Sequence, residues 1–99
     1  MFFIVSMNKY SNNNLLIENR IWKYRKIKKF KQKELAFLIG QKGLASQVSR
    51  YERGLVIPNS EHLIKLCCAL NTKIELLYPH FVKRCYQEVE GNKKKFRKR

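Results

Sequence analysis

Residues 32–54 read QKELAFLIGQKGLASQVSRYERG, two short apolar-periodic runs separated by a turn bounded by Gly40 and Gly43. Isolated helices shorter than ~12 residues are marginal in water, so runs this short persist only when their apolar stripes pack on other elements. In the first run, Gln32 to Ile39, the stripe is Leu35, Ala36 and Ile39, with Lys33 and Glu34 outward. In the second, about Ser46 to Arg53, Val48 and Tyr51 form the apolar back. Ser46, Gln47, Ser49, Arg50 and Arg53 form a donor-rich front. Gly54 stops it, and both turn glycines can take positive φ.

The rest of the chain supplies helices to pack against. A first helix is expected from Leu15 to about Lys29, a span free of Gly and Pro. Ile17, Ile21, Tyr24 and Lys28 share a face, with Trp22 and Ile27 beside it. After Pro58, Asn59 is an N-cap for SEHLIKLCCAL, whose inward residues are Leu63, Leu66, Cys67 and Leu70. Thr72 followed by Glu75 reads as a capping box opening a short fifth helix, KIELLY. No segment alternates like a strand, so the fold class is all-α, with five short helices over 15–79. A flexible lead-in is expected at 1–14, where NKYSNNN is turn-prone. A sixth helix is expected at 80–91, with Phe81, Val82, Cys85, Tyr86 and Val89 as its stripe and Gly91 and Asn92 closing it. A basic disordered tail, ending KKKFRKR, is expected at 92–99.

Charge narrows the function. Lys and Arg number 22 against 7 acids, all of them Glu, for a net charge of +15. Residues 18–82 alone hold 13 basic and 5 acidic side chains, so the body is basic without its tail. Such an imbalance points to a polyanion, nucleic acid before a membrane surface. Catalysis is disfavoured: there is no Asp, no Ser/His/acid grouping and no phosphate-cradling glycine loop. No cofactor or metal is expected. Cys67, Cys68 and Cys85 form no C-x-x-C, and His62 and His80 lie at no ligand spacing from them. Cys67 and Cys68 read as small core hydrophobes, which suits a reducing compartment. The apolar start MFFIVSM is too short to span a bilayer and lacks the marks of a secretory signal, so no membrane role and a cytoplasmic location are expected. Met7 is an alternative initiator to Met1.

Two short helices joined by a glycine-containing turn outline a helix-turn-helix, in which small Ala36 allows a close crossing. The order of RKIKKFKQKELAFLIG, SQVSRYERG, Pro58, a leucine helix and ELLYP resembles the Cro/phage-repressor-like, or xenobiotic-response-element, helix-turn-helix family from about Asn19 to Pro79. The resemblance implies a compact five-helix lambda-repressor-like domain and a sequence-specific transcriptional regulator binding double-stranded DNA as a homodimer. It implies that Ser46, Gln47 and Arg50 read bases, since Gln suits an adenine edge and Arg a guanine edge. It implies phosphate contacts by Gln32, Arg53 and Asn59, with Ser49 close enough to join them, and a structural salt bridge between Arg25 and Glu52. The turn between Leu35 and Val48 is longer than the family's usual one, which leaves Ala45 or Ser46 as the start of the third helix and gives Lys42 a phosphate role. Lys31 stands where a Ser or Thr cap is common. Arg20, Lys23, Lys26 and Lys28 read as solvated charges. Two alternatives share the fold: an antitoxin-like regulator with a protein partner on the fifth helix or along Phe81 to Val89, and a basic RNA-binding or adaptor module. The latter is disfavoured by the lack of a stacking platform.

Overall fold

Asn19 decides where the first helix begins. The computed structural model of the protein describes residues 16–40 and 44–97. Residues 16–20 are not helical, although apolar periodicity continues through them, and α1 spans Ile21–Ile27. The Asn19 amide donates to the carbonyls of Ile17 (3.0 Å) and Tyr51 (2.9 Å), and its Oδ1 accepts the Ile21 N–H (3.0 Å). The backbone completes this strap: Ile17 N–H donates to the Gly54 carbonyl (2.9 Å) and Arg20 N–H to that of Leu77 (2.8 Å). Long-range partners therefore claim the groups that a longer first helix would use, and the expected start at Leu15 is replaced by one at Ile21. Position 15 itself, with the expected lead-in at 1–14, lies outside the described residues.

Next come α2 (Gln32–Leu38), α3 (Ala45–Glu52), α4 (Ser60–Leu70), α5 (Ile74–Leu77) and α6 (Pro79–Arg97). No strand occurs among the described residues. Ile21, Leu35, Ala36, Ile39, Val48, Tyr51, Leu66, Leu70, Leu77 and Tyr78 make one buried core shared by the first five helices. Leu63 and Cys67 are partly buried against it, whereas Cys68 is exposed, contrary to its reading as a core residue. Trp22 and Ile27 are likewise more than half exposed, and the Lys26 ammonium lies over the Trp22 ring at 5.7 Å.

Helix ends follow local chemistry. At the end of α1, Lys29 takes the left-handed region (φ 63°), and Phe30 N–H reaches back to the Arg25 carbonyl (3.1 Å). For α2, Lys31 supplies no side-chain cap, but the Glu34 carboxylate accepts the Lys31 N–H at 2.7 Å, half of a capping box. Gly54 (φ 75°) closes α3, with Leu55 N–H on the Arg50 carbonyl (3.0 Å); a Cβ there would overlap the Ile17 backbone. Asn59 Oδ1 accepts the His62 N–H at 2.8 Å and caps α4.

Two expected helix boundaries are corrected. The capping box of Thr72 and Glu75 does not form: Lys73 is the N-cap of α5, and the Thr72 hydroxyl is buried without a hydrogen-bond partner. Asn71 closes α4 at φ 52°, and Thr72 N–H completes that closure on the Cys67 carbonyl (3.0 Å). The residue that would open α5 thus finishes α4. Second, Gly91 and Asn92 do not stop α6, which continues through Arg97 in place of a disordered tail; positions 98–99 are outside the described residues. Gly91 is not among the glycines at positive φ, so nothing turns the chain there. Lysines in the last turn also suit the negative end of a helix dipole.

Candidate nucleic-acid interface

The α2–turn–α3 unit is held by its back. Val48 is fully buried and Tyr51 is 2% exposed, so α3 cannot roll about its axis without exposing both. The Tyr51 hydroxyl lies 2.9 Å from His62 Nδ1, which ties α3 to the first turn of α4. Tyr51 also gives its carbonyl to Asn19, so one residue joins α3 to the strap and to α4.

A charged clasp fixes the end of α3. Glu52 pairs with Arg25 through the Nε–Oε2 contact and through Nη2 to Oε1 at 3.3 Å. The remaining Arg25 nitrogen donates to the Phe30 carbonyl at 2.9 Å. Gln32 Nε2 donates to Glu52 Oε1 at 2.9 Å. The Arg25 and Glu52 side chains are only 8% and 5% exposed, so the pair is desolvated and depends on these extra bonds. The clasp links α1, α2 and α3 through one carboxylate.

The front of α3 faces the other way. It starts at Ala45, with Leu44 as N-cap, which decides the register that the long turn left open. Ser46 and Arg50 are exposed, and Gln47 and Ser49 are half-buried on the same helix. Arg53, just past the end of α3, is exposed, and its Nε lies 3.4 Å from the Ser49 carbonyl. Gln32 opens α2 with one amide hydrogen committed to Glu52 and a second left to donate. Asn59 uses its oxygen to cap α4, which leaves the amide nitrogen as its donor. Lys42 lies outside the described residues. Lys31 and Lys33 are exposed at the start of α2 and add to the positive charge of this surface.

Two positioning residues escape a reading of the sequence. Asn19 carried a signal, being a capping residue type placed just before an apolar run. His62 carried none, because its partner is 11 residues away on another helix. Among the described residues, no three His, Cys, Asp or Glu side chains come together as a metal site. No helix among them is long and apolar enough to cross a membrane. Burial pushes the Cys67 thiol above its ordinary range.

A profile of the helix-turn-helix family matches residues 23–77, from the middle of α1 to the end of α5. No curated protein and no solved structure matches the chain. With more than half of its length matched, including both α2 and α3, the chain belongs to the Cro/repressor-type (xenobiotic-response-element) helix-turn-helix family of DNA-binding domains.

Proposed function

We propose that the protein is a sequence-specific regulator of transcription that lays α3 in the major groove of double-stranded DNA. The observation that carries this reading is the orientation of α3: Val48, Tyr51 and Glu52 bind its back to the body, while Ser46 and Arg50 are exposed at its front. An eight-residue helix is about 12 Å long, and the major groove is about 12 Å wide. Ser46, Gln47 and Arg50 read base edges, Arg50 by a bidentate bond to guanine. Gln32, Lys42, Ser49, Arg53 and Asn59 hold phosphates and so fix the register without reading sequence. The clasp of Arg25 and Glu52 sets the angle between α2 and α3, which keeps the phosphate and base contacts in step. Two protomers bind as a homodimer to half-sites about one helical turn apart.

Selection of bound sequences from a randomised duplex pool, run beside the Arg50→Ala variant, tests this. A defined motif that loses information at one base pair in the variant is the expected result, and two copies of it give the dimer. Tight, salt-sensitive binding to every duplex without enrichment would overturn the reading.

A further inference from the structure

The C-terminal helix is the part of the molecule that DNA reading does not use. Its first turn is anchored: Phe81 and Val82 are partly buried against the core, Phe81 meets Tyr78 edge-on at 6.4 Å, and Val82 N–H donates to the Tyr78 carbonyl at 3.0 Å. From Lys83 to Arg97 no residue is buried, although the sequence keeps a helical apolar period. Val82, Cys85, Tyr86, Val89 and Phe96 fall within one stripe of the helix. Tyr86 is 66% exposed, Val89 50% and Phe96 70%. A shallow notch lies at the distal end of the stripe, lined by Val89, Asn92, Lys93, Phe96 and Arg97.

Charge says what fits there. The helix carries Lys83, Arg84, Lys93, Lys94, Lys95 and Arg97 against Glu88 and Glu90 only. Both acids precede Gly91, beyond which every charge up to Arg97 is positive; Lys93, which pairs with Glu90 at 3.1 Å, and Arg97 border the notch itself. A second copy of the helix is a poor occupant. Parallel pairing sets the two lysine runs side by side. Antiparallel pairing sets each run beside the partner's Lys83 and Arg84. Bare phosphate is a poor occupant too, since it leaves Tyr86 and Val89 in water. An apolar surface with a positive rim is complementary to an apolar segment with a negative one.

We propose that the exposed face of α6 is a docking site for an acidic amphipathic helix of another protein. Apolar side chains of the partner cover Tyr86, Val89 and Phe96, and its carboxylates meet Lys93 and Arg97. Binding also stabilises α6, because a helix whose apolar residues stay largely exposed gains little from packing until they are covered.

The test uses the full chain and a fluorescein-labelled peptide about 20 residues long, with Leu along one face and Glu on both flanks. A second peptide carries Lys in place of Glu. The acidic peptide is expected to bind, and the Tyr86→Ser, Val89→Ser double variant to bind it at least about tenfold more weakly, a loss of about 1.4 kcal/mol. Both substitutions are on exposed positions, so thermal unfolding should be unchanged. The Lys93→Glu, Arg97→Glu variant should shift preference toward the lysine peptide, a gain that misfolding cannot mimic. Failure to bind the acidic peptide, equal binding of both peptides, or equal binding by the double variant would overturn the proposal. Self-association of the wild-type chain that disappears in the double variant would assign the face to a second copy. Equal weakening of binding to every DNA sequence in that variant would assign it to nucleic acid. Either result also overturns the proposal.

Discussion

Helices α3 and α6 are both amphipathic, and they have opposite fates. The apolar residues of α3, Val48 and Tyr51, are sealed into the core. Those of α6 beyond its first turn, Tyr86 and Val89, stand in solvent. A stripe at helical spacing therefore states that a face can be buried, and the rest of the chain decides whether it is. For α3 the decision is made by neighbours on four elements: the strap at 16–20, Arg25 on α1, Gln32 on α2 and His62 on α4. For α6, α5 and the Tyr78 region pack on the first turn, where His80 also lies 3.6 Å from Glu18 of the strap, and none of the described residues beyond Val82 is buried.

The sharpest way to break this contrast is to remove what clamps α3. Glu52→Ala should cost about 3–5 kcal/mol of folding free energy, because Arg25 is left buried without its counter-charge. Chemical denaturation reads it, and a loss within the noise of a surface substitution would show that the clasp is dispensable. Arg50→Ala should leave stability within about 0.5 kcal/mol of wild type, yet cost about 1–3 kcal/mol on the preferred DNA site. Competition against a randomised duplex separates that loss from a uniform one. The same truncation made in both helices gives the direct comparison. Val48→Ala should destabilise by about 1.5 kcal/mol or more, from two lost methyl groups and the cavity they leave. Val89→Ala should stay within about 0.5 kcal/mol. Equal losses would mean that α6 is covered in solution. Gly91→Ala should act in the opposite direction. Beyond the adjoining helix backbone, nothing among the described residues lies within 4 Å of a Cβ placed there, so the change should favour the helical state of α6 by about 1 kcal/mol. Hydrogen exchange of the amides around position 91 measures it.

The inward residues of α2, α3 and α4 are legible in the sequence because periodicity is a direct image of a buried face. Leu35, Ala36, Ile39, Val48 and Leu66 all reach zero exposure. Boundaries were harder wherever a distant group competed for a local one. Asn19 ends a pattern that continues through it, and Thr72 serves the helix behind it rather than the one ahead. The glycines show the same limit. Gly40 and Gly54 take positive φ where the chain has to double back onto the core. Gly91 has the same freedom and no core to return to, so its neighbours' helical preference carries through it. Of the surface assigned to DNA, the residue types on α3 could be read directly. The bond from Gln32 to Glu52 could not, because it joins positions 20 apart in sequence.

The strap at 16–20 has a consequence for how the molecule opens. The Arg20 amide is bonded to a carbonyl at position 77, at the far end of α5. Next to it, Asn19 and Ile17 hold the end of α3 and the Gly54 turn. Any fluctuation that frees the Arg20 amide has to detach residues 16–20 from both the third and the fifth helix. Its exchange with solvent deuterium should therefore follow global unfolding rather than fraying of α1, despite its place at the very edge of the first helix. One amide near the beginning of the fold would then report whether the whole DNA-binding body is closed.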